Sequence, residues 1–261
     1  MTQFAILNYL IVIVFGLLIG SFLNVIILRF DDLKTIFNVR SHCPKCEREL
    51  TWYELIPFFS YVALWGKCRT CKKDISIQYP LVEVGTALIF ALLFWKFSFT
   101  LEFAVYLIIS SILIIIFVYD ILHQMVADIL VWICLGIWVI WLILDYFFID
   151  HSTVIILNSL YGGLILGGLL ALLVVVSREK WMGTGDISLG LLLGLIVSYP
   201  NVLVLIFAAF IIGSIVGLIL LALKRKKMKD QIAFAPFLIT GMWLALFMGD
   251  ILITWYFNQL L

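Results

Sequence analysis

LEFAVYLIISSILIIIFVYDILHQMVAD, residues 101–128, runs from Leu101 to Tyr119 with Glu102 as its one charged residue, then meets Asp120. An apolar helix needs about 20 residues to span the hydrocarbon core of a bilayer, and this run is close to that length. It ends in a carboxylate, which costs roughly 2.5–3.5 kcal/mol at the centre of a membrane helix on insertion scales. A long apolar run closed by an aspartate therefore reads as a membrane helix carrying a functional group at one end.

The rest of the chain repeats the pattern. Its 261 residues are 65% hydrophobic and 13% charged, with a mean hydropathy of +1.20. So few charges cannot cover a soluble protein of this size, which excludes a single soluble catalytic domain. The net charge of +1 says nothing about nucleic acid, which is not expected as a partner of such a membrane chain. The spans read as Phe4–Leu28, Leu81–Lys96, Leu101–Tyr119, Ile129–Leu144, Val154–Val176, Ile187–Ser198, Val202–Leu223 and Ala235–Tyr256. The sixth is short, so it is either extended by the preceding turn or a partial helix backed by protein. No A-x-A-like cleavage site closes the first run, which is expected to stay as a helix. The fold class is an all-α polytopic membrane protein of about eight transmembrane helices. It divides into a first helix (1–28), a cysteine-rich segment (29–80) and a membrane core (81–261).

Charge orients the spans. Nine of the 17 Lys and Arg fall between Arg29 and Lys73, two are Arg178 and Lys180, five lie within residues 224–229, and one is Lys96. The intervening loops carry Asp145, Asp150, His151 and Tyr199-Pro-Asn201 instead. The positive-inside rule then makes the basic loops cytoplasmic, along with the loops holding Asp120, Asp128 and Asp186, and puts both termini outside. The cluster from Lys224 to Lys229 reads as an anchor at anionic lipid headgroups, or else as a docking site for a partner.

Residues 29–80 hold Cys43-Pro-Lys-Cys46 and Cys68-Arg-Thr-Cys71. Two C-x₂-C pairs at this separation supply four thiolates for one tetrahedral zinc, and the segment has little core of its own. Zinc binding of this kind contributes roughly 10–16 kcal/mol in zinc-finger peptides. Disulfides are the competing reading, disfavoured on a cytoplasmic face. Cys134, inside a span, reads as a small core residue.

Asp120 stands at the cytoplasmic end of a span, where its charge opposes the helix dipole. Asp186 closes Gly183-Thr-Gly-Asp186, whose glycines permit a tight turn and close backbone approach. Its plainer role is capping the next helix, and Asp128 is likewise placed as an N-cap. Two carboxyls within hydrogen-bonding reach titrate as a pair holding one proton. One can then activate water while the other polarises a carbonyl. No Ser or Cys nucleophile with a matching histidine is visible: His42 and His123 read as surface residues, and His151 lies on the opposite side. Gly162-Gly163 and Gly167-Gly168 suit close helix packing. Asn24 and Glu83 flank the cysteine segment, for ligand binding or for helix–helix hydrogen bonds. Asp250 and Glu102 have no partner legible in the sequence.

The order Gly20-Ser-Phe-Leu-Asn24, two C-x₂-C pairs around Ile56-Pro-Phe-Phe-Ser-Tyr61 and Gly66-Lys-Cys68, Tyr79-Pro-Leu-Val-Glu83, Asp120 with Asp128, and Gly183-Thr-Gly-Asp186 resembles the type IV prepilin peptidases along nearly the whole chain. The resemblance implies a bifunctional GxGD-type aspartyl protease of the cytoplasmic membrane. Such an enzyme removes the basic leader of type IV prepilins and pseudopilins, and many members then N-methylate the new terminus with S-adenosylmethionine. By the resemblance, Asp120 and Asp186 are the catalytic pair, and Cys43, Cys46, Cys68 and Cys71 are the metal-binding segment tied to methylation. The chain departs from the family pattern at Ala127 (usually Pro), Ser188 (usually Lys) and Ala235 (usually Gly). Asp128 is a candidate for attracting the basic leader. The alternatives are a GxGD peptidase without methyl transfer, and a transporter or scaffold with a zinc-stabilised loop. A transporter's carboxylates are expected deep within spans.

Overall fold

A computed structural model describes residues 2–30, 39–149, 151–180, 182–224 and 232–260. Asp150 and residues 225–229 of the basic cluster lie outside them. The described residues are helical, and their β-structure is confined to two isolated bridges, His42 with Glu49 and Lys67 with Asp74. The helices are α1 (Thr2–Leu28), α2 (Phe59–Ala63), α3 (Gln78–Phe97), α4 (Leu101–His123), α5 (Asp128–Phe148), α6 (Thr153–Ser177), α7 (Thr184–Val197), α8 (Val202–Ala222) and α9 (Ala235–Leu260). Seven of these, all but α2 and α7, are long and apolar enough to cross a membrane, as a multi-pass membrane protein requires. The chain divides into two compact units, Met1–Ile115 and Ile116–Leu261.

In the first unit α1 packs against α3 at a glycine. A Cβ on Gly20 would lie 2.7 Å from Glu83 Cα and 3.1 Å from Thr86 Oγ1, so only glycine allows this approach. One turn later, Asn24 Nδ2 donates to the Tyr79 carbonyl at 3.1 Å, tying the two helices together. The helix α3 starts at Gln78, three residues before the expected Leu81. Pro80 therefore sits in its first turn, where a missing N–H costs nothing.

In the second unit α6 and α7 touch backbone to backbone. A Cβ on Gly162 would fall 2.3 Å from the Gly194 carbonyl oxygen, and one on Gly194 2.3 Å from that of Gly162. Gly163 and Gly167 face Leu195 and Leu191, whereas Gly168 faces open space. At 14 residues α7 is shorter than the about 20 a helix needs to span a bilayer unaided, and Asp186, Leu189, Gly190 and Leu192 to Val197 are all buried. It is a short apolar helix backed by protein, extended at its start by the Gly183–Asp186 turn. Asp250 on α9 accepts a hydrogen bond from Asn201 Nδ2 at 2.8 Å, a partner the sequence did not reveal. Cys134 is fully buried in α5.

Backbone atoms cannot move aside as a rotamer can. Gly162→Val is therefore expected to destabilise the unit by at least the roughly 1–3 kcal/mol typical of overpacking. Gly168→Ala should be neutral or slightly stabilising. Thermal unfolding of the two variants in detergent checks the contrast.

Candidate active site

Asp120 lies in the last turn of α4 and is 3% exposed. Alone there, its charge would face the negative end of its own helix. The fold supplies the missing partner, because the backbone N–H of Ala235, first residue of α9, donates to its carboxyl group. A helix N-terminus thus meets the aspartate, with unsatisfied N–H groups and the positive end of the dipole. Asp120 Oδ2 is buried with no hydrogen-bond partner among the described residues.

Asp186 is the third residue of α7 and is 7% exposed. Its Oδ2 accepts from the Gly183 N–H at 3.2 Å, the reach-back of a third-position acid to the N-cap. Capping thus occupies one oxygen of this carboxylate. The Asp120 and Asp186 carboxyls are electrostatic neighbours. The fold brings together two aspartates that are far apart in sequence.

Around them the expectations shift in detail. Helix α5 begins at Asp128, with Ala127 as its N-cap, so Asp128 is not the cap. Its Oδ1 instead lies 3.1 Å from Ser188 Oγ, whose hydroxyl is also 2.9 Å from the Gly185 carbonyl. This contact ties the start of α5 to the first turn of α7. Gly183 is extended (φ −83°, ψ 162°), so the GxGD turn does not rely on a left-handed glycine there. Gly185 is needed for closeness, since a Cβ there would meet Val126 Cβ at 3.0 Å. Two of the three departures, Ser188 and Ala235, touch Asp128 and Asp120, and the third, Ala127, directly precedes Asp128. That proximity was the sequence's only hint of these contacts.

The cysteines form a second constellation, in the first unit. Each C-x₂-C pair is folded into the same small knuckle. Cys43 N–H bonds to Arg48 O at 2.9 Å and Cys68 N–H to Lys73 O at 2.9 Å, with returning bonds from Glu47 and Lys72. Those two residues are both left-handed, at φ 57° and 59°. All four sulfurs lie within 4.8 Å of one another, with Cys43 to Cys71 at 3.9 Å and Cys46 to Cys68 at 4.0 Å. A tetrahedral site with Zn–S bonds of about 2.3 Å has sulfur–sulfur edges of about 3.8 Å. The cysteines are free thiols, and four soft donors at this spacing fit a metal ion.

Backbone N–H groups of Cys71 and Thr70 bring Cys68 down to about 6, and that of Lys45 lowers Cys43. Cys46 is pushed up to about 11, despite the Arg48 N–H, by desolvation and the neighbouring sulfurs. Four thiolates cannot coexist here without a cation. Arg48 braces the knuckle from outside, 2.6 Å from Glu54, and its hydrogen bond holds that carboxyl down at about 2.

Comparison with known proteins fits both constellations. The bacterial peptidase A24 N-terminal domain matches residues 14–97. The chain is 32% identical to a prepilin leader peptidase/N-methyltransferase of Pseudomonas aeruginosa, covering 91% of this chain and 89% of that one. It is 32% identical to the protein of the same name from Bacillus subtilis, over 96% and 98%. The Legionella pneumophila protein of that name is 31% identical over 95% and 94%. No solved structure matches.

Proposed function

The chain belongs to the prepilin leader peptidase/N-methyltransferase family, and on that premise we propose that it cleaves type IV prepilins or pseudopilins with Asp120 and Asp186. The observation that carries this reading is the pair itself: two buried, neighbouring carboxyls, one with an oxygen that has no partner among the described residues. Two such groups hold a single proton between them. The ionised member takes a proton from water as it attacks the scissile carbonyl, and the protonated member donates to the developing oxyanion. Collapse of the tetrahedral intermediate returns a proton to the leaving amine. The Gly183 and Ala235 N–H groups hold the two carboxyls in place, so no orientation must be found during the reaction.

The chain sits in the bacterial cytoplasmic membrane with the aspartates at its cytoplasmic face. This follows from the basic loops on that side and from Asp120 and Asp186 lying at helix ends rather than at mid-span. A prepilin presents its basic leader just outside the membrane and its apolar helix within it, so the scissile junction meets carboxyls at that depth. The transporter alternative calls for deep carboxylates and finds none in this pair.

Cys43, Cys46, Cys68 and Cys71 hold zinc, which when bound locks the two knuckles together. Methyl transfer from S-adenosylmethionine to the new N-terminus is the second activity, assigned to the segment around residues 29–80, with cleavage assigned to the core of residues 81–261. Asp128 contributes to leader recognition. Asp128→Asn removes its charge and weakens the tie to Ser188, a loss of about 1 kcal/mol or roughly fivefold in kcat/KM. The loss is expected to be larger at low ionic strength, where the leader's charge is least screened. Cleavage of a synthetic prepilin across a salt series measures it, and unchanged rates would remove Asp128 from recognition. The overall reading is tested by the same cleavage assay on the aspartate variants, developed in the Discussion.

A further inference from the structure

The second unit carries an apolar groove of about 390 Å³ between α4, α8 and α9. We propose that this groove seats the apolar helix of the prepilin, over roughly the two turns that follow the scissile bond; the proposal rests on the cleavage reading above.

Helical periodicity builds the groove from stripes. On α4 it is lined by Phe117, Ile121 and Gln124, and on α8 by Ile212, Val216 and Leu220. Each set recurs every three or four residues and so shares one face of its helix. The start of α9 closes the third side with Pro236 and Phe237. The walls are pinned to one another. The Phe117 ring lies 6.4 Å from that of Trp243 on α9, and a Cβ on Gly213 would come within 3.3 Å of the Phe237 ring. From Ile212 to Leu220 the stripe rises about 12 Å, which matches one face of roughly two helical turns.

Continuity with the aspartate pair selects the occupant. Phe117 and Gln124 stand three and four residues from Asp120, as its neighbours on the helix surface. The Gln124 N–H donates to the Asp120 carbonyl at 2.8 Å. Across the groove, the lining residues Ala233 and Pro236 bracket Ala235, whose N–H holds the Asp120 carboxyl. A chain cut at Asp120 therefore has the groove directly beside it.

Charge decides which part of that chain enters. No charged side chain of the described residues lines the groove, and Lys224, one turn beyond Leu220, is not in the wall. Thr240 spends its hydroxyl on the Pro236 carbonyl at 2.7 Å, which leaves the Gln124 amide to supply the wall's polarity. A basic leader would lose hydration here with no carboxylate to meet it. An apolar helix gains by burial. Ile121 in the wall is 53% exposed, so the groove opens outward and admits a partner from the side.

Photocross-linking in reconstituted membranes tests this. A prepilin carrying benzoylphenylalanine at successive positions after the junction, bound to Asp120→Asn or Asp186→Asn, should label residues 117–124, 212–220 and 232–240. Labelling should come from one face of the substrate helix. No label in these stretches, from a prepilin that wild type cleaves, would overturn the groove and leave the peptidase reading intact. A phospholipid with a photoreactive acyl chain represents the competing occupant. Labelling of the same stretches by that lipid, undisplaced by saturating prepilin, would make the groove a lipid seat and overturn the proposal. Val216→Trp fills the groove and should raise KM for prepilin by at least about tenfold with kcat little changed. Ile215→Trp, at a 53% exposed neighbour outside the lining, should leave both constants as in wild type. Melting curves report the folding of each variant, and an unchanged KM in folded Val216→Trp would also count against the groove. A wild type that neither binds nor cleaves prepilin would overturn the peptidase reading itself.

Discussion

Asp120→Asn and Asp186→Asn are each expected to slow leader cleavage by on the order of 10³- to 10⁴-fold, the upper part of the range for losing a general acid–base group. Asparagine is chosen because it keeps the shape and one acceptor oxygen. In Asp186→Asn the amide oxygen can still accept from the Gly183 N–H and cap α7, and in Asp120→Asn the Ala235 N–H retains an acceptor. The helices should therefore stay in place, and the loss should reside in chemistry. On the proposed mechanism the carboxyls act as one proton-sharing unit, so the double variant should be scarcely slower than either single one. Single-turnover cleavage in reconstituted membranes measures all three. Multiplicative losses would mean that the two groups act independently.

Removing the metal should have the second large effect. Zinc binding of roughly 10–16 kcal/mol exceeds what a segment of two knuckles and the five-residue α2 can supply by burial. Cys68→Ser, or a strong chelator, is expected to take bound zinc from one per chain to none. It should open residues 41–75 to proteolysis and abolish methyl addition. Cleavage should outlast methylation, because Asp120 and Asp186 belong to the unit of Ile116–Leu261. Metal analysis beside product mass separates these effects. Full methylation by a zinc-free protein would show that the cysteines are dispensable.

How far the sequence can be read follows from the range of each interaction. The spans were legible because apolar length is a local property, and the cysteine knuckles because a C-x₂-C pair sets its own turn. Asp120 and Asp186 stood out because carboxylates are rare and costly in such surroundings. Their supports were hidden. The Ala235 N–H reaches Asp120 only when α9 packs with its N-terminus at the end of α4, and the Ser188 contact exists only once α5 and α7 meet. Asp128 misled by one residue because Ala127 takes the cap position and leaves the carboxylate free to face Ser188. Gly168 resembled its neighbours in sequence, yet the helix turns it to the open side. Asn24 and Glu83 were legible as polar residues flanking the cysteine segment, but the close approach of α1 and α3 at Gly20 that sets them on one helix pair was not.

The most direct test records the intact mass of a prepilin after incubation with wild type, Asp120→Asn and Asp186→Asn in membranes containing S-adenosylmethionine. Wild type should release the leader at its junction with the apolar helix and leave a product heavier by one added methyl, a net gain of CH₂ that follows from the transfer chemistry, while both variants leave the prepilin uncut. Normal cleavage by both variants would contradict the aspartyl mechanism.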